Sequence, residues 1–149
     1  GDAAEAARLC VRYMGLRQPF PRTLEVLPRI QRRWRTAILS NADDAYLLPT
    51  LSRHRLTFEA VLSSETARAY KPMPAPFRQV LARLDVRPEE AIYVGDNPFD
   101  DILGAKLVGI RCAWMNRNGA RPDPSQPRAD WEVKDLCGLE VLLDTLGYG

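Results

Sequence analysis

The sequence predicts an α/β fold, a parallel sheet between helices in a three-layer, Rossmann-like arrangement. Three observations carry that prediction. Short apolar runs without alternation recur at residues 36–39, 91–94 and 110–114, as expected of strands buried on both faces of a parallel sheet. Stretches with helical spacing separate them, and strands alternating with helices imply right-handed βαβ units. The run at 91–94 then delivers Gly95 followed by Asp96, Asp100 and Asp101. Open α/β sheets gather their ligands in the crevice beyond the carboxyl ends of the strands.

Each element has its own signal. Residues 2–14 show helical spacing with Ala6, Leu9, Cys10 and Tyr13 on one face, and Gly15 is placed to end that helix. Pro19-Phe20-Pro21 is a break. Residues 23–33 form a second helix with Leu24, Leu27 and Ile30 inward and Pro28 as a flaw in it. A strand at 36–39, a short helix at 45–53 and a short strand at 60–62 follow. Residues 76–84 make a helix whose stripe is Phe77, Val80, Leu81 and Leu84. Pro88 begins a turn into the strand at 91–94. Residues 102–109 read as a helix stopped by Gly109, with Asp100 and Asp101 near its N-terminus, where acids are favoured. A strand at 110–114, a Pro-rich loop at 117–128, a short edge strand at 129–133 and an amphipathic helix at 135–146 complete the chain.

Composition narrows the function. A chain of 149 residues, 46% hydrophobic, is long enough for one domain with a real core. The net charge of +2 argues for neither nucleic acid nor an acidic membrane surface as a partner, and no apolar run approaches the roughly 20 residues of a membrane span. Arg29, Arg32, Arg33 and Arg35 cluster at a helix end and read as a solvated face. Cys10, Cys112 and Cys137 lack Cys-x-x-Cys spacing, which suggests reduced thiols in a cytoplasmic protein, each a small buried hydrophobe. His54 is the single histidine, in a stretch that reads as a helix end or loop, so neither a histidine metal site nor a Ser-His triad is expected. Asp96, Asp100 and Asp101 remain. Capping a helix needs one acid, and carboxylates this close repel unless a cation lies among them. They predict a hard-cation site, and Mg²⁺ is the cation that takes one or two carboxylates and keeps its waters.

Two further segments make the pattern specific: Thr36-Ala37-Ile38-Leu39-Ser40-Asn41, an apolar run ending in a hydroxyl and an amide, and Tyr70-Lys71-Pro72 before a helix. In chain order, strand-Ser-Asn, then Lys-Pro, then strand-Gly-Asp-x-x-x-Asp-Asp resembles the second, third and fourth motifs of the haloacid dehalogenase-like (HAD) hydrolase superfamily. The subgroup with small helical caps is also matched by Val61-Leu62-Ser63-Ser64-Glu65 and by the stretch from Gly109 to Arg117. The resemblance covers residues 19–146. It implies phosphoryl transfer through an aspartyl-phosphate, with positioning and charge neutralisation as the protein's task. Ser40 and Asn41 would donate to substrate oxygens, and Lys71 would pair with the phosphate. Asp96 would ligate Mg²⁺, and Asp101 would hold Mg²⁺ or one of its waters, with Asp100 ranked behind them. Tyr70 is left as packing. The implied substrate is a small phosphorylated metabolite.

The superfamily's first motif, a strand ending in Asp-x-Asp, has no counterpart, for the chain contains no Asp-x-Asp. In the resembled fold that strand lies between those carrying Ser40 and Asp96. The expectation is therefore a fragment, with residues 1–18 a remnant of a helical cap and 19–149 a core incomplete at its N-terminal central strand. Such a fragment would be inactive alone and open to self-association through an exposed sheet edge. Two alternatives stay open. Asn97-Pro98-Phe99-Asp100 also resembles the Ser-Asn-x-Trp-Asp run of the metal-free 2-haloacid dehalogenases, although those carry Ser where this chain has Asp96. A non-catalytic phosphate-binding pseudoenzyme would keep the pocket without the nucleophile.

Overall fold

The structure is a computed structural model that describes residues 2–14 and 16–147. Helices α1 (Ala3–Met14) and α2 (Thr23–Gln31) precede strand β1 (Ala37–Ser40). Then come α3 (Asp44–Arg53), β2 (Ala60–Ser63), the short α4 (Ser64–Ala67) and α5 (Pro74–Leu84). After β3 (Ile92–Gly95) the chain makes a wide π-helical turn, Pro98–Leu103, that runs into α6 (Gly104–Leu107). Strands β4 (Arg111–Met115) and β5 (Trp131–Val133) and helix α7 (Leu136–Thr145) finish it.

All strand pairs are parallel, as the alternation of elements requires. β1 pairs with β2 in the register Ala37↔Ala60 to Ser40↔Ser63. β4 lies between β3 and β5. Among the described residues no ladder joins β1 to β3, so the strands form a two-stranded and a three-stranded sheet. Every residue of β1 and of β3 is only half-buried, whereas β2 and β4 are mostly buried. Apolar strands such as Ala37-Ile38-Leu39 and Ile92-Tyr93-Val94 are typical of a sheet's middle, and here they are edges.

Three layers result. On one face Val26 and Ile30 of α2 and Leu139 and Leu143 of α7 pack on Ala113, Met115 and Val133. On the other, Phe77 and Leu81 of α5 with Ile102 and Ala105 pack on Cys112. The alternation within β4 follows the period of two that a strand imposes: Ala113 and Met115 face α2 and α7, and Cys112 and Trp114 face α5 and α6. A third cluster, Ala60, Leu62, Ala67 and Val80, holds β2 against α5, and Leu39 touches both it and the Phe77 cluster. Burying Phe77 and Leu62 completely contributes about 1.5–3 kcal/mol each.

Several sequence expectations are corrected. α5 begins at Pro74, because proline suits the first helical turn, where N–H groups have no intrahelical partner. α2 ends at Gln31 and accommodates Pro28 inside it. The four-residue α4 went unread; it is capped by Ser63, whose Oγ accepts from the Thr66 N–H at 2.9 Å. The helix expected at 102–109 instead starts at Pro98, because the Asn97 side chain caps it. Tyr70 is not packing: it is 59% exposed. Cys112 is buried, but Cys10 is exposed, and so are all residues 2–10 despite their helical stripe. Gly15, expected to end α1, lies outside the described residues.

Candidate active site

The site is assembled at the carboxyl ends of β1 and β3 by the loop that carries Lys71. Ser40 closes β1 with its Oγ accepting from the Ala42 N–H at 3.1 Å, which bends the chain sharply into α3. Asn41 turns toward the Lys71 loop and bonds its backbone twice. Its Oδ1 accepts from the Lys71 N–H at 2.7 Å, and its Nδ2 donates to the Lys71 carbonyl at 3.2 Å. The amide expected to reach substrate is thus engaged as a staple between β1 and the loop. Ser64, buried, supports the same turn by donating to the Asn41 carbonyl at 3.0 Å.

Lys71 crosses to the other sheet. Its Nζ donates to Asp101 Oδ1 at 2.5 Å and to the Tyr93 hydroxyl at 3.2 Å. The Tyr93 hydroxyl donates to the same Asp101 oxygen at 3.0 Å. Asp101 Oδ2 accepts from the Asn97 N–H at 3.0 Å. The ion pair is sheltered, with side-chain exposures of 12% for Lys71 and 4% for Asp101. Burial pushes the Tyr93 phenol well above its usual range, and the charge and hydrogen bond of Asp101 and the charges of Asp96 and Asp100 push it the same way. The phenol therefore stays protonated and able to donate at neutral pH.

Close approach makes this geometry possible. A Cβ on Gly95 would lie 2.3 Å from Asp101 Cβ, so only glycine lets the π-helical turn fold its carboxylate back over β3. A Cβ on Gly104 would lie 2.3 Å from the Phe77 ring and 3.1 Å from Pro72 Cα. Phe77 in turn sits against Tyr93, ring centroids 5.0 Å apart and tilted by 59°. Asn97 Oδ1 accepts from the Phe99 and Asp100 N–H groups at 2.9 and 3.0 Å, and its Nδ2 donates to Asp100 Oδ2 at 3.2 Å.

The three acids are thereby placed differently. Asp101 is buried with both oxygens engaged. Asp100 is half-buried against Asn97. Asp96 is exposed, and its backbone carbonyl is held by Trp114 Nε1 at 3.1 Å. Among the described residues no group of three or more His, Cys, Asp or Glu could hold a metal ion. Of the three acids Asp96 is the one whose carboxylate is left open among the described residues, so it is the group here that could hold a hard cation such as Mg²⁺, which needs only one or two protein carboxylates. Asn41, Lys71 and Asp101 are joined by direct bonds, with Ser40 next to the staple and Asp96 at the turn's start. Sequence reasoning missed Tyr93, Asn97, Trp114 and Ser64. A polar atom on a strand otherwise built of Ile and Val was the readable hint at Tyr93.

Comparison with known proteins agrees with this fold. The family model for haloacid dehalogenase-like hydrolases matches residues 13–115. This chain belongs to that family. Phosphoserine phosphatase of Thermus thermophilus is 36% identical over 148 residues, 91% of this chain and 57% of that protein. Haloacetate dehalogenase H-2 of Moraxella is 33% identical over 145 residues, 95% of this chain and 64% of that protein. The crystal structure of a HAD phosphatase from Thermococcus onnurineus superposes with a TM-score of 0.80 at 32% identity, covering 93% of this chain and 64% of that one. The chain thus spans less than two thirds of the length of these HAD relatives, which include both phosphatases and dehalogenases. No helix among its described residues is long and apolar enough to cross a membrane.

Proposed function

We propose that these residues are the phosphate-binding core of a Mg²⁺-dependent phosphomonoester hydrolase acting on small phosphorylated metabolites through an aspartyl-phosphate. The observation that carries this reading is the division of labour between the acids. Asp101 is committed to Lys71, while Asp96 stands exposed at the end of β3, and among the described residues nothing donates to its carboxylate. Ser40 supplies a hydroxyl whose hydrogen is not engaged within the described residues, and Lys71 supplies a fixed cation; together they orient a phosphate and offset its charge. Asn41 acts through Lys71 by fixing its backbone. Mg²⁺ on Asp96 would neutralise further phosphate charge. The attacking carboxylate is not among these 149 residues, which hold no Asp-x-Asp, so the chain alone turns over no ester. In the same reading α1 belongs to a helical cap, residues 19–149 to the core, and the three thiols to a cytoplasmic protein. The apolar edges β1 and β3 pair between copies at high concentration, which sedimentation would register.

Titration of the chain with orthophosphate, with and without Mg²⁺, tests the proposal. Wild type should bind orthophosphate more tightly with Mg²⁺ present, and Asp96→Asn should lose that enhancement while keeping its melting temperature, because Asn keeps the shape but not the charge a hard cation needs. Phosphate binding indifferent to Mg²⁺ would favour the dehalogenase reading, which the Asn97–Asp100 contact and the Moraxella relative support. Absence of phosphate binding would sink the assignment.

A further inference from the structure

Tyr93 is not among the residues the family motifs single out, yet it sits at the centre of the charged cluster. Lys71 Nζ, the Tyr93 hydroxyl and Asp101 Oδ1 form a closed triangle with sides of 2.5, 3.2 and 3.0 Å. An ammonium carries three donors. Two of Lys71's are engaged within the triangle, and among the described residues none is left over except the third. The phenol cannot drift, because Phe77 holds its ring and β3 holds its backbone. Ring packing alone would be satisfied by phenylalanine, so the oxygen needs its own explanation. A buried hydroxyl that both gives and accepts within an ion pair fixes the pair's rotation, which packing and Coulomb attraction leave free.

We propose that Tyr93 is a positioning residue: its hydroxyl locks the Lys71 ammonium so that one hydrogen, and only one, faces the crevice to meet an oxyanion. The functional half of this inference rests on the phosphate-binding reading given above; the geometric half stands without it. Without the hydroxyl, Lys71 would still be cationic and still paired, but free to rotate about its terminal bond. A fixed donor costs no reorganisation when charge develops on the oxyanion, and a rotating one does.

Nitrogen-15 NMR of the chain tests the lock directly. In wild type the Tyr93 hydroxyl proton should be seen in slow exchange, with a cross-peak to the Lys71 ε-methylene. In Tyr93→Phe the Lys71 ammonium hydrogens should exchange with water about tenfold faster, the loss expected for one removed hydrogen bond in a sheltered pair. Orthophosphate affinity should fall in Tyr93→Phe, and that fall should vanish in a Lys71→Met background, since a residue acting through Lys71 has nothing to position once the ammonium is gone. Unchanged ammonium exchange in folded Tyr93→Phe overturns the proposal, as does an affinity loss that persists with Lys71→Met, which would mark a merely structural role. If Tyr93→Phe does not fold, the wild-type cross-peak decides: its absence overturns the lock. If wild type binds no orthophosphate, the phosphatase reading fails, while the exchange measurement still decides the geometry.

Discussion

The two walls of the crevice are built on different principles. At the end of β1, the Ser40–Asp44 turn is held by side chains that bond to backbone: Ser40 to Ala42, Asn41 to Lys71, and Ser64 to the Asn41 carbonyl. At the end of β3, the turn is held by a buried ion pair with a phenol set into it. Neutral staples of the first kind stabilise modestly and fail gently. A buried carboxylate is held only while its cation stays, because the cost of desolvating it must be offset locally. Lys71 belongs to both walls, through its backbone to the first and its ammonium to the second. With Leu39 and α5 it is one of the links between two sheets that no ladder joins among the described residues.

The largest expected effect therefore falls on Lys71. Lys71→Met should destabilise the fold by about 3–5 kcal/mol, since Asp101 would remain buried with only Tyr93 and Asn97 as donors. Urea unfolding measures it, and a second substitution, Asp101→Leu, should recover part of the loss. The pair Lys106–Asp130 is the control: at 37% and 33% exposure, Lys106→Met should cost less than about 1 kcal/mol. Equal costs for the two lysines would dissolve the contrast between the walls.

Next in size is Gly104→Ala. Its Cβ would fall 2.3 Å from the ring of Phe77, which is fully buried and cannot swing away, and 3.1 Å from Pro72 Cα. Overpacking of this kind costs about 1–3 kcal/mol, and the strain would pass through Phe77 to Tyr93. Thermal melting gives the stability, and the Tyr93 ring resonances report the displacement. A melt within a degree or two of wild type would show that the ion-pair wall yields more easily than its contacts imply.

Asn41→Ala and Asn97→Ala compare the walls at equal chemistry. Each removes one amide that makes two or more bonds to backbone or turn, at about 1–2 kcal/mol. Only Asn41→Ala should loosen Lys71 from β1, visible as faster exchange of the Lys71 backbone N–H; the same change in Asn97→Ala would mean the walls are not separable.

How much of this was legible in the sequence follows from the range of each interaction. Strands and most helices were readable because apolar period and proline placement are local: the 36–39, 60–62 and 91–94 runs fall within a residue of β1, β2 and β3. The sequence reading expected β1 and β3 to lie apart, and among the described residues no ladder joins them. The helix start at Pro98 was misplaced because it depends on Asn97 turning its amide back onto Phe99 and Asp100, and a sequence shows the asparagine but not its rotamer. Lys71, Asp96 and Asp101 were readable as charges in a recognisable order. What Asp101 does was not, because its partners lie 30 and 8 residues away and meet it only once α5 packs on β3. Tyr93 was missed for the same reason: its hydroxyl has meaning only beside a lysine brought in from another loop.

The smallest effect sharpens the comparison from outside the site. Gly138 lies in the first turn of α7, on the face of the sheet remote from Lys71, with its N–H given to the Asp135 cap at 2.9 Å. A Cβ there would meet Val133 Cβ at 3.6 Å, an ordinary contact, and its backbone is not in the left-handed region. Glycine in a helix costs about 0.5–1 kcal/mol relative to alanine, mostly through the freedom it retains in the unfolded chain. Gly138→Ala should therefore raise the melting temperature, by a gain of about 0.5–1 kcal/mol, while Gly104→Ala lowers it, the same substitution with opposite sign. The difference isolates what the site demands: at Gly138 the missing methyl is a local inefficiency, and at Gly104 it is the clearance that lets Phe77 support Tyr93. Destabilisation by both would mean that α7 is packed as tightly as the crevice wall, and the distinction between a site held by close approach and a scaffold held by apolar burial would fall.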